Sequence, residues 1–135
     1  MLDLSNTVAW DTETELIQPG LLAPPMVCLS VCDHTLQPEL FHWKDALEPL
    51  RTMLRNKNMV LQNGPFDLCV TAAQFPELLP DIFDAYLEKR IVDTMFNDQL
   101  INIARGTLKG YHDHRGVWHK RRYSLSALSE RYGFG

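Results

Sequence analysis

The chain has 135 residues and a mass of 15.5 kDa, enough for one compact domain and too few for two. Hydrophobic residues make up 45% and charged residues 22%, which excludes a disordered chain and a small disulfide scaffold. The net charge of −4 is unevenly divided: residues 1–104 hold six Lys or Arg against fifteen Asp or Glu, whereas residues 105–135 hold seven against two. We therefore expect one surface that attracts anions and another that collects cations or stays solvated.

The sequence also bears on location. No stretch approaches the ~20 consecutive apolar residues of a membrane-spanning helix, so we expect no membrane partner. The first ten residues contain Asp3 and no Lys or Arg, which does not match a secretory signal. Three cysteines, an odd number, fit a reducing compartment. These features together predict a cytoplasmic protein.

The first third of the chain predicts three short strands, because runs of β-forming residues are separated by Pro and Gly; they span residues 7–11, 25–31 and 39–43. Strands so close in sequence are typical of an antiparallel meander. Residues 44–56 then change to helical spacing of apolar positions, and Asp45 with Glu48 resembles a capping box. The pattern therefore changes from sheet to helix at residue 44.

The rest of the chain alternates between helix and strand. A strand at 59–62 is followed by the turn Asn63-Gly64-Pro65, which predicts a helix that begins near Pro65. The later predicted elements are a helix at 82–90, a strand at 91–93, a helix at 95–104, a loop or basic hairpin at 105–123 and a helix at 124–132. Strands in series followed by alternating helix and strand indicate an α/β fold with a mixed sheet flanked by helices.

Two carboxylate pairs could carry chemistry. Asp11 and Glu13 are two residues apart at the end of the first strand, so both side chains point to one side and could bind one hard cation. A solvated loop is the plainer alternative. Asp67 lies in the first turn of a helix, where the helix dipole also favours an anion. If the two preceding strands are parallel neighbours, these acids meet at the edge where α/β sheets bind ligands.

This combination carries a family resemblance. Asp11-x-Glu13 followed by Asn63-x-x-Phe66-Asp67 resembles the first two motifs of the DEDD 3′–5′ exonucleases. Residues 91–95 (IVDTM) and 123–128 (YSLSAL) resemble, more narrowly, the proofreading exonuclease domains of phage-type family-A DNA polymerases. The resemblance implies an RNase H-like mixed five-stranded sheet over 1–135, with a three-stranded antiparallel meander beside parallel strands and helices on the faces.

The resemblance also implies a function: hydrolysis of the 3′-terminal phosphodiester of single-stranded DNA with two divalent ions, Mg²⁺ or Mn²⁺. By position, Asp11 would contact both metals, Glu13 would bind one and hold the attacking water, and Asp67 would bind the second. Asp93 would support the site from outside the metal pair. The residues expected near the terminal nucleotide are Thr12, Thr14, Leu16, Asn63 and Phe66.

The chain departs from the family pattern in one respect. The third motif, a Tyr or His followed four residues later by Asp, does not occur in it. We therefore expect a fold that is incomplete at its C-terminus, with weak or no activity unless the missing segment is supplied elsewhere. A noncatalytic DNA-binding or polymerase-docking module, and an RNA-trimming relative, both remain open.

The basic segment 105–123 offers a second surface. Six Lys or Arg are interleaved there with Tyr111, Trp118 and Tyr123, a mixture that suits single-stranded nucleic acid. Lys120, Arg121 and Arg122 are the expected contacts, and a solvated loop is the alternative. The expected partners are thus a single-stranded DNA 3′ end and a polymerase domain, in the same chain or a companion chain.

Overall fold

The computed structural model describes residues 3–20 and 23–134. Within these ranges the strands are β1 Thr7–Thr14, β2 Met26–Asp33, β3 Pro38–His42, β4 Asn58–Leu61, β5 Ile91–Asp93, β6 Gly110–His112 and β7 Trp118–Lys120. The α-helices are α1 Leu47–Asn56, α2 Gly64–Gln74, α3 Leu79–Leu87, α4 Thr94–Ala104 and α5 Leu125–Tyr132. None of the helices in these ranges is long and apolar enough to cross a membrane.

The predicted mixed sheet is confirmed. Five strands lie in the order β3-β2-β1-β4-β5. β1, β2 and β3 form the antiparallel meander, and β1 also pairs with β4 in parallel. Because β1 and β4 are parallel neighbours, the residues that follow each strand lie at the same edge of the sheet. The carboxylates at the end of β1 and in the first turn of α2 are thereby brought to one edge.

Two local predictions differ from the structure. β1 continues past Asp11 to Thr14, because Glu13 pairs with Cys28 of β2 before the register shifts. The capping box is wrong: a short 3₁₀ turn occupies 43–45, and α1 starts after Ala46 with no side-chain cap. The interstrand hydrogen bonds and the 3₁₀ turn set these ends, and neither is visible in local spacing.

One hydrophobic core supports the sheet. Its fully buried members come from strands and helices alike and include Leu29, Leu50, Leu54, Met59 and Leu61. In β1 the core takes Val8 and Trp10, the alternate residues of the strand, so the residues between them face away from the core. Burial of one side of β1 therefore fixes the direction of its acidic side chains.

The chain divides into two compact units, Met1–Val92 and Asp93–Gly135. The first contains most of the sheet, α1, α2 and α3; the second contains α4, the β6–β7 hairpin and α5. The expectation that residues 1–135 form a single domain stays a prediction. Ser124 caps α5 by accepting a hydrogen bond from the Ala127 N–H, and Gly133 ends it at a φ of 80°.

Candidate active site

β1 presents its two acids on one exposed side. Burial alternates along the strand, with Trp10 and Thr12 buried and Asp11 and Glu13 exposed. This alternation follows from the two-residue repeat of an extended chain, in which i and i+2 side chains share a face. Asp11 and Glu13 therefore lie side by side on the surface, as the sequence predicted.

The third acid, Asp67, lies in α2, the helix that follows the neighbouring strand β4. After β4, Asn63 adopts a left-handed conformation (φ 63°) that turns the chain sharply into α2, with a proline in the first helical turn. Asn is one of the few non-glycine residues that tolerate this conformation. Asp67 then lies in the first turn of α2 with only 2% of its surface exposed.

Thr12 joins β1 to helix α2 at this edge. Both its backbone N–H and its hydroxyl donate hydrogen bonds to Oδ1 of Asp67, at 2.9 and 2.7 Å. Thr12 was expected near the nucleotide, but the structure buries it and directs both donors to Asp67. The sequence carried a signal for this burial: Thr12 is a polar residue at a position that, by the two-residue repeat of the strand, faces the same side as the buried Val8 and Trp10. Thr12 positions Asp67.

Burial, with a smaller contribution from like charge, raises the pKa of two of the three acids. Burial raises the pKa of Asp67 to about 6, against the two hydrogen bonds from Thr12 and with help from the charge of Asp11. Burial and then the charge of Glu13 also raise the pKa of Asp11. None of the salt bridges among the described residues involves these three acids. A cation bound here would relieve their repulsion.

The chemistry of this donor set fits a hard divalent ion. Carboxylate oxygens are the ligands that Mg²⁺ and Mn²⁺ prefer. The charge of Glu13 raises the pKa of Asp11, and the charge of Asp11 raises the pKa of Asp67, so Asp11 lies near both of the other acids. Within residues 3–20 and 23–134, however, no three such side chains are already close enough to enclose an ion. The acids share one edge, and ion binding would require them to draw closer.

The remaining predicted contacts of the nucleotide are dispersed around this edge. Thr14 ends β1 and is half-buried, whereas Leu16 follows the strand with 88% of its surface exposed. Phe66 packs partly against the hydrophobic core. Asn63 forms the turn before α2. Of these four residues, Leu16 presents the most open apolar surface.

Asp93 caps a helix. Its Oδ1 accepts a hydrogen bond from the Phe96 N–H at 3.0 Å, which fixes the start of α4. This contact gives Asp93 a structural role at the end of β5.

The three expected nucleic-acid contacts in the basic segment, Lys120, Arg121 and Arg122, differ from one another. Lys120 ends β7 and is exposed. Arg121 donates from Nε to the Thr107 carbonyl at 3.0 Å, and its guanidinium lies 4.9 Å from the ring centre of Tyr111. Arg122 has an exposed side chain. Arg121 thus holds the hairpin together, while Lys120 and Arg122 face solvent.

Comparisons with known proteins identify the family and the fold of the chain. A family model described as 3′-5′ exonuclease, of the DNA polymerase A type, matches residues 1–132. No curated protein matches the chain. Among solved structures, the chain is similar to the Nibbler EXO domain of Aedes aegypti, with a TM-score of 0.59 and 11% identity. The match covers 93% of this chain but spans only 58% of that one, and at this identity it shows the fold alone.

Proposed function

The chain belongs to the 3′-5′ exonuclease family of the DNA polymerase A type, within the DEDD superfamily, and we propose that it removes nucleotides from the 3′ end of single-stranded DNA. The observation that supports the proposal is that Asp11, Glu13 and Asp67 lie at one sheet edge, while none of the ion pairs among the described residues involves them. We also propose that a polymerase domain, in the same chain or a companion chain, supplies this substrate.

We assign the three acids different tasks. Asp67 is buried and held by Thr12, so it would offer a fixed oxygen to a divalent ion. Asp11 and Glu13 are exposed beside it; Asp11 would contact both ions, and Glu13 would bind one ion and help hold the attacking water. Two bound ions would supply charge stabilisation to the attacking and the departing oxygen of an in-line displacement. The protein's part is to hold these oxygens in place.

Metal binding is the first test, because it does not require turnover. Titration with Mg²⁺ or Mn²⁺ should raise the melting temperature of the chain, since a ligand that binds only the folded state stabilises it. Asp11→Asn and Asp67→Asn should abolish this effect. Glu15→Gln removes an exposed acid two residues beyond Glu13 and should preserve it. Equal stabilisation of all variants would contradict a metal site at these acids.

Hydrolysis is the second test. A 5′-labelled single strand with Mn²⁺ should shorten from its 3′ end, slowly because the third family motif does not occur in the chain. Glu13→Gln should reduce the rate by about 10²-fold or more, because it removes a carboxylate that would bind one ion and hold the attacking water. Glu15→Gln serves again as the control. The same rate in parent and Glu13→Gln would exclude this role.

An RNA substrate is the second candidate, because carboxylates that hold metal ions act on the phosphodiester and do not by themselves distinguish the sugar of RNA from that of DNA. Strands of identical sequence in DNA and RNA, assayed in parallel, decide between them. Faster shortening of the RNA strand would replace the DNA proposal.

A further inference from the structure

The β6–β7 hairpin presents a positively charged surface. Gly110 pairs with Lys120, Tyr111 with His119 and His112 with Trp118. Residues 105–123 contain six Lys or Arg and one acid, Asp113. Since cross-strand partners and i, i+2 residues share a face, Trp118 and Lys120 lie on the same side of the hairpin.

The charge of Asp113 is used inside the turn. Its Oδ1 accepts hydrogen bonds from the N–H groups of Arg115 and Val117, both at 2.9 Å. Its Oδ2 lies 3.0 Å from Nε2 of His119. Hydrogen bonding to His119 and to the backbone lowers the pKa of Asp113. This acid closes the turn, so the cations dominate the outward surface.

Trp118 is held in place from below. Its six-membered ring lies so close over Gly110 that a Cβ atom at this position would overlap both the ring and the His119 carbonyl oxygen. His112 packs edge-on against the ring at 5.1 Å. Even so, 53% of Trp118 is exposed. The hairpin therefore supports an indole ring while leaving much of it open to solvent.

The base of the hairpin is anchored within its own unit. Arg121 donates to the carbonyls of Lys109 and Thr107, through its backbone N–H and its Nε respectively. The Tyr123 hydroxyl donates to the Leu108 carbonyl at 2.7 Å. These bonds order the strands before any ligand arrives, so little conformational entropy is lost on binding.

We propose that this hairpin binds single-stranded nucleic acid, with a base stacked on Trp118 and the neighbouring phosphate at Lys120. Exposed aromatic rings beside cations suit unpaired bases, because every base has a π-face and the backbone carries the opposite charge. An acidic protein would use the cations but would leave the supported indole ring unexplained. The proposal is independent of the nuclease activity, since binding here needs neither metal nor hydrolysis.

The stacking contact is tested by affinity in the presence of a metal chelator, with labelled oligo(dT) and oligo(U) as probes. Trp118→Ala should weaken binding about 5- to 100-fold, the range for loss of one stacked base. Val117→Ala is the matched control, because Val117 is the adjacent residue and is equally exposed at 53%. Trp118→Phe should recover part of the affinity, since a ring is restored.

The charge contact is tested by salt dependence. Lys120→Gln should reduce the slope of log affinity against log salt by about 0.7, the value for one phosphate contact on a single strand. Lys89→Asn removes an exposed cation outside the hairpin, at a φ of 58° that Asn tolerates, and should leave the slope unchanged.

Two outcomes would overturn the proposal. Unchanged affinity in Trp118→Ala, with a native circular dichroism spectrum, would show that no base stacks there. Binding of poly-glutamate as tight as that of either oligonucleotide, and equally insensitive to Trp118→Ala, would identify a site for any polyanion. A loss of hydrolysis in Glu13→Gln with intact strand binding would separate this surface from the proposed active site.

Discussion

Two buried aspartates in the two units have opposite surroundings. Asp67 of α2 is 2% exposed and Asp98 of α4 is 3% exposed. Asp67 meets a neutral donor, Thr12, and the negative charge of Asp11. Asp98 pairs with the guanidinium of Arg131 and accepts a hydrogen bond from the Tyr132 hydroxyl at 2.8 Å.

The difference appears in their proton affinities. Burial raises the pKa of Asp67 to about 6. Burial also acts to raise the pKa of Asp98, but hydrogen bonds from Arg131 and Tyr132 and the charge of Arg131 bring it below the ordinary value. Removing the cation from a buried ion pair is costly because it leaves an uncompensated charge, and a buried carboxylate without a cation destabilises the fold unless an external cation binds. We infer that Asp98 has a structural role, whereas the surroundings of Asp67 support the metal-binding role proposed for it.

The largest expected effect comes from removal of the cation of Asp98. Arg131→Met leaves a buried, uncompensated carboxylate and should lower the free energy of unfolding by about 3–5 kcal/mol, measured by urea denaturation. Arg51→Met is the control, because its partner Glu48 is exposed and such pairs contribute at most about 1 kcal/mol. A similar small loss in both variants would remove the contrast between Asp98 and Asp67.

The pH dependence should separate the two aspartates. In the presence of a chelator, the raised pKa of Asp67 makes the folded state more stable at low pH than at neutral pH. This contribution is complete below about pH 4 and is lost as the pH rises through about 6. Asp67→Asn should remove this dependence and increase stability at pH 7 by about 2 kcal/mol. For Asp98, whose pKa is lowered, the contribution is present at neutral pH and is lost on acidification.

Urea midpoints measured from pH 4 to pH 7 check this prediction. Parallel curves for the parent and Asp67→Asn would mean that Asp67 keeps its ordinary pKa in the folded state.

The smallest effect is expected from Thr12→Val, which removes the hydroxyl donor of Asp67 and leaves the backbone N–H. The loss of one hydrogen bond to a buried carboxylate should cost about 1 kcal/mol and raise the pKa of Asp67 further. The carboxyl titration of Asp67, followed by NMR, measures the shift. Thr14→Val removes a hydroxyl that donates to the Glu15 carbonyl and not to Asp67, so it should leave that titration where it is.

Much of the fold was readable from local pattern. The meander and the strands β4 and β5 follow from runs of β-forming residues broken by turn residues, whereas the parallel strands were implied by the family resemblance. The start of α1 was missed, because the 3₁₀ turn ending at Asp45 displaces the expected cap. Segment ends depend on which hydrogen bonds form across the sheet and at helix ends, and spacing alone does not specify them.

The candidate site was readable only in part. The positions of Asp11, Glu13 and Asp67 came from motif spacing, and the parallel pairing of β1 with β4 brings their strand ends to one edge. The role of Thr12 was not predicted, because its partner is 55 residues away. The contacts of Arg121 within the hairpin were not predicted either. Its place in a basic segment suggested a phosphate contact, and the structure shows that its side chain also bonds to the Thr107 carbonyl and packs on Tyr111.

The sequence by itself determined the order of the elements, the common side of Asp11 and Glu13, and the concentration of cations in residues 105–123. The elements and the common side of the two acids follow from local periodicity, and the concentration of cations follows from local composition. Only the tertiary structure decided which acids are buried and what each one meets there. Charge compensation depends on groups distant in sequence, which is why Asp98 has Arg131 as its cation while Asp67 has Thr12 and the like charge of Asp11.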